Sequence, residues 1–211
     1  MNMTAATIKN YSNNLIIEAL INKKTSQSIA DMVSDRLINK EDSAAISKFA
    51  SELSTISKKL EATGDKKAID GLRQVAKQFA SDQAGFEDFM KSVDKLDKAD
   101  YKAVFSTIDK MADKGLKVDK WMDTFSSISD EESKKELLEV TNQILKDDKA
   151  GAIVQKETLN KLITSINEIQ NGDAKDKDDK IEDLLNIASQ SKSLPEMKAA
   201  IDQYNKSISI K

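Results

Sequence analysis

An all-α fold follows from three features of the sequence. Apolar residues recur at spacings of three and four rather than two, the period of one buried helical face. Glycines and capping residues fall between those stripes. The sole proline, Pro195, sits in a first helical turn, where its missing amide hydrogen is tolerated. The expected architecture is about eleven short antiparallel helices. They form one domain over residues 1–211, either a compact multi-helix bundle or an α-solenoid-like stack of helical hairpins.

Taken in order, Ile8, Tyr11, Leu15 and Ala19 mark a first helix, and Ile29, Met32, Val33 and Leu37 a second. Phe49, Leu53, Ile56 and Leu60 form a third stripe, closed by Gly64, where a left-handed residue costs least without a side chain. Asp65 is placed to cap the next stripe, Ile69, Leu72, Val75, Ala76 and Phe79. Gly71 lies inside that helix, where it costs about 1 kcal/mol against Ala unless a neighbouring helix needs the close approach.

Phe86, Phe89, Met90, Val93 and Leu96 then precede the short Asp97–Asp100 connection, and Tyr101, Val104, Phe105, Ile108 and Met111 run to Gly115. Val118, Trp121, Met122, Phe125 and Ile128 make a short helix. Ser129 and Glu132 have the spacing of a capping box opening the stripe Leu137, Leu138, Thr141, Ile144 and Leu145. Gly151 and Gly172 flank the stripe Leu159, Leu162, Ile163, Ile166 and Ile169, and both are expected at helix ends. Ile181, Leu184, Leu185 and Ala188 follow, and Ser193 with Glu196 launches a last helix through Met197, Ile201 and Tyr204.

Six apolar positions from Phe89 to Ile108 overlay those from Trp121 to Val140 at a constant offset of 32, the size of a helix-pair repeat. No repeated glycine, proline or aromatic signature accompanies it, so the bundle stands ahead of the stack. Residues 173–180 are the candidate hinge.

Composition excludes several chemistries. The chain has no Cys and no His, which removes thiolate nucleophiles, disulfides, imidazole ligands and the usual general base at neutral pH. Of its 33 basic residues only Arg36 and Arg73 are arginine, against 36 acidic ones. That balance argues against nucleic acid as the partner, because Arg supplies the fork that reads phosphate and guanine. No apolar run approaches the ~20 residues of a membrane span. Before Glu18 the one charged side chain is Lys9, without the charged and apolar regions of a signal peptide.

The candidate sites are few. Asp173, Asp176, Asp178 and Asp179 resemble part of a calcium loop, but the register puts Asp179 at the glycine place and Leu185 at the final glutamate place. Glu132, Glu136 and Glu139 lie near one helix face but lack a partner His, and lysines interleave them. Lys58, Lys59, Lys66 and Lys67 flank a turn and are diluted by Glu61, Asp65 and Asp70. No catalytic residue, metal ligand or cofactor is expected. Trp121, Met122 and Phe125 satisfy core spacing and also form the densest large apolar cluster, so they are the candidate partner-binding residues in a groove between helices.

The expected function is a non-enzymatic helical protein-protein interaction or structural module, cytoplasmic and of bacterial or phage origin. Two alternatives stand beside it. The segment before Glu18, rich in Thr, Asn and Ser, is similar in composition to uncleaved bacterial export signals, which implies a leaderless exported effector or appendage component. Catalysis resting on carboxylates or lysines is the other.

Overall fold

In the computed structural model, described over residues 40–79, 82–147, 150–172 and 175–209, the stripes become helices with no strand among the described residues. They are α1 (Lys40–Glu61), α2 (Lys66–Gln78), α3 (Gln83–Val93), α4 (Lys98–Asp113), α5 (Val118–Ser127), α6 (Glu131–Lys146), α7 (Gly151–Asn171), α8 (Lys177–Ser189) and α9 (Leu194–Ser209). The two helices expected from Ile8 and from Ile29 lie outside the described residues, as does the export-like segment.

Short acidic side chains cap the start of four of these nine described helices. Asp65 accepts from the Lys67 and Ala68 amides at 3.0 and 3.4 Å, Asp82 from Gly85 at 3.0 Å, and Asp97 from Ala99 and Asp100 at 2.8 and 3.0 Å. Each satisfies amides that have no partner inside the helix and places negative charge at the positive end of its dipole. The α6 start differs from the expected capping box. Asp130, not Ser129, is the cap, accepting from the Ser133 amide at 2.6 Å. Because the helix begins at Glu131, Ser129 stands one residue too early, and its hydroxyl instead donates to Asp178 at 2.8 Å.

Gly64 and Gly115 adopt the left-handed conformation behind α1 and α4, with φ of 71° and 65°. Gly151 does so at the start of α7 (φ 75°). Gly172 does not: its φ is −71°, and its amide reaches the Glu168 and Ile169 carbonyls from ordinary backbone.

The packing order identifies the architecture. From α2 onward each helix packs on its second neighbour in sequence: α2 on α4, α4 on α6, α6 on α8, and likewise α3 on α5, α5 on α7, α7 on α9. Phe49 of α1 meets Phe86 of α3 edge-on at 4.9 Å and joins the odd-numbered row. No helix pair further apart in sequence shares a substantial interface among the described residues. This is a compact multi-helix bundle whose helices lie in two rows of stacked hairpins, with the apolar core between them.

Polar side chains fix the register inside each row. Asn142 of α6 donates to Thr107 and accepts from Lys110, both on α4, at 2.8 and 3.0 Å. Asn167 of α7 bonds Thr124 of α5 at 3.1 Å, and Asn205 of α9 bonds Ser165 of α7 at 2.7 Å. The tightest approach joins α2 to α4, where a side chain on Gly71 would begin 1.8 Å from the Phe105 carbonyl oxygen. The mid-helix glycine is thus accounted for by a backbone-to-backbone contact. Of the stretch 173–180, Lys177–Lys180 forms the first turn of α8, tied down by Lys177 donating to the Gln170 carbonyl at 2.8 Å and by Asp178 accepting from Ser129.

Candidate functional site

Trp121, Met122 and Phe125 are each 0% exposed. Their short helix α5 drives them inward: the Trp121 and Phe125 rings stack 5.1 Å apart, and the Trp121 indole N–H donates to Thr141 Oγ1 at 2.9 Å. The expectation that they line a groove between helices is corrected here. A partner reaches none of the three without opening the core, because helical spacing directs all of them to the interior face.

Among the described residues an apolar groove lies between α1 and α3, with a volume of about 350 Å³. Ile56, Phe86 and Met90 form its floor, and Glu52 and Lys59 of α1 face Glu87 and Lys91 of α3 across it. The floor residues are themselves core members with one edge on the groove. Asp94 closes one end, 4.0 Å from Lys59 Nζ. Lys59 also lies 5.6 Å over the Tyr101 ring. The Tyr101 hydroxyl is shielded from solvent without a hydrogen-bond partner, and burial, reinforced by Asp94, holds it un-ionised well above the ordinary phenol range. A surface of this kind has an apolar strip between charged walls, suited to one amphipathic helix or hairpin edge.

The remaining candidates are dispersed. Lys66 and Lys67 are exposed beside the Asp65 cap, while Lys102 bonds that carboxylate at 3.2 Å. Glu132 is engaged by Lys135 at 3.6 Å. Around the resembled calcium loop, Asp176 pairs with Lys180 at 2.9 Å and Asp178 with Ser129, so these two carboxylates are engaged separately, and Asp173 lies outside the described residues. Among the described residues no three acidic side chains converge as a metal site. Burial raises Asp109, with Asp113 and Asp70 adding to it, and burial likewise raises Asp123.

One buried ion escaped the sequence reading. Lys134 is 2% exposed, its ammonium 5.9 Å from the Phe125 ring, and burial followed by the nearby Lys95 lowers its pKa. Its position was legible: Lys134, Leu137, Leu138 and Thr141 follow the spacing of one buried face.

Compared with protein families, curated proteins and solved structures, the chain matches none of them.

Proposed function

We propose that the protein is a non-enzymatic helical scaffold that holds a protein partner along the groove between α1 and α3. The observation that carries this reading is the groove itself. Its floor of Ile56, Phe86 and Met90 lies between two charged walls, on a stack whose large apolar side chains, these three included, are almost all enclosed. Ile153, at 75% exposure, is the exception among the described residues, and a single exposed isoleucine is ordinary surface. The test is capture of partners from native extract by the intact protein, repeated with Glu52→Lys combined with Glu87→Lys. Loss of a specific partner with an unchanged melting curve supports the groove. Retention of every partner places the interaction elsewhere. An activity abolished by one Asp, Glu or Lys substitution, in a protein that still folds, replaces the scaffold reading with the enzymatic one.

The composition of the segment before Glu18 favours a second reading, export without cleavage. Fusing residues 1–25 to a reporter in a secreting bacterial strain tests it. A reporter retained in the cell, together with unchanged localisation of the protein lacking that segment, ends the export reading.

A further inference from the structure

The α6–α8 contact is fastened by hydrogen bonds at its two ends. Ser129, just before α6, reaches Asp178 at 2.8 Å, and Gln143 of α6 donates to the Ser191 carbonyl, just past α8, at 2.9 Å. Between these ends Glu136 of α6 and Glu182 of α8 act on one another as like charges. Glu136 Oε2 is shielded from solvent and has no hydrogen-bond partner.

The charges that act most strongly on Glu136 are all negative: Glu182 from α8, and Glu132, Glu139 and Asp130 from the α6 side. Lys135 is directed to Glu132, 3.6 Å away. On α4, Asp100 interacts with Glu132 and Lys135. On α8, Asp178 is held by Ser129, and no ionisable group of α7 is among the strongest influences on Glu136. An acceptor without a donor, set among like charges in a helix–helix contact, is costly when ionised.

We infer that the α6–α8 contact is a proton-operated joint, closed when Glu136 carries a proton and loosened when it is ionised. The proton removes the charge from the shielded carboxyl, and with it the repulsion across the contact. The ionised form leaves the α6–α8 contact itself held by the two end bonds and by apolar packing, while the α8–α9 hairpin stays tied to α7 through Lys177 and Asn205. Burial first, then Glu182 and the other carboxylates, raises the Glu136 pKa above the ordinary glutamate value. The sign follows: the added stability is fully present below the unfolded pKa and is lost as pH rises through the higher folded one.

Hydrogen exchange on the full chain at about pH 5 and about pH 8, corrected for intrinsic exchange, reads the joint directly. The expected result is severalfold greater protection of α8 amides on the acid side in the wild type. Glu136→Gln, which mimics the protonated acid, gives high protection at both pH values. Glu182→Gln flattens the dependence in part, while Asp109→Asn, a second raised carboxylate on α4, leaves the α8 response as in wild type. Protection of α8 that is independent of pH in the wild type overturns the proposal. So does an unaltered response, or low protection at both pH values, in Glu136→Gln.

Discussion

Replacing Gly71 with Ala sets two physical effects against each other. Helix propensity favours Ala by about 1 kcal/mol at an interior position, so a reading of α2 alone predicts a more stable protein. The interface with α4 predicts the reverse. A Cβ at Gly71 would stand 1.8 Å from the Phe105 oxygen, 2.5 Å from its carbonyl carbon and 3.0 Å from its Cα. All three are backbone atoms, so no rotamer change relieves the clash, and α2 and α4 must part by on the order of 1.5 Å to restore ordinary contact. Overpacking costs about 1–3 kcal/mol and occasionally more. This clash is with rigid backbone across the most extensively packed helix pair, which places the gross cost at the top of that range and the net loss at about 2 kcal/mol after the propensity gain. At about 2–4 °C per kcal/mol for a chain of this size, the melting temperature falls by about 4–8 °C. Thermal unfolding followed by circular dichroism measures it. Gly64→Ala is the comparison: nothing lies within 4 Å of its added Cβ, and the left-handed backbone alone costs about 1–2 kcal/mol. A Gly71→Ala protein that melts at or above the wild-type temperature refutes the close-approach argument.

Trp121→Ala truncates a fully buried side chain and strands the Thr141 hydroxyl; we expect about 3–5 kcal/mol of destabilisation by chemical denaturation. Loss of partner binding with unchanged stability would contradict its core role. Lys134→Met retains the apolar stem and removes a buried cation with no counter-ion within bonding distance among the described residues, so the melting temperature rises; a fall would show that the ammonium is stabilising. At Asp65 burial acts to raise the pKa but is outweighed by Lys102, Ser106 and the Ala68 amide, leaving it lowered. Its stabilisation is therefore present above the ordinary aspartate pKa and lost as pH falls through the folded value. Asp65→Ala costs about 1–2 kcal/mol at neutral pH, and the gap to wild type narrows on acidification in a pH series of thermal melts.

The helices were legible because each is amphipathic over several turns: Phe49, Leu53, Ile56 and Leu60 admit one periodicity and one buried face. Asp65 was legible as a cap because no neighbour competes for the role. Ser129 and Asp130 did compete, and sequence spacing alone does not say which begins the helix. The stack was less visible. What sets its register are residues such as Asn142, Asn167 and Asn205, whose partners Thr107, Thr124 and Ser165 lie on the second-neighbour helix. In sequence these read as polar side chains turned to solvent. Periodicity also cannot distinguish a core aromatic from a groove aromatic. Trp121 and Phe86 have the same pattern around them and are both buried, yet Phe86 lies beneath the groove between α1 and α3 and Trp121 beneath none of the described grooves.

Packing on second neighbours keeps every helix among sequence-close partners; the most distant side-chain hydrogen bond described, Ser129 to Asp178, joins residues 49 apart. Among the described residues no closing step joins the ends, since the α8–α9 hairpin shares no substantial interface with α1. The assembly is zipper-like, each pair of helices docking on a template already laid down, and contacts this local favour rapid folding. Damage propagates just as locally: a contact opened in one row leaves the turns before it and the neighbouring row in place.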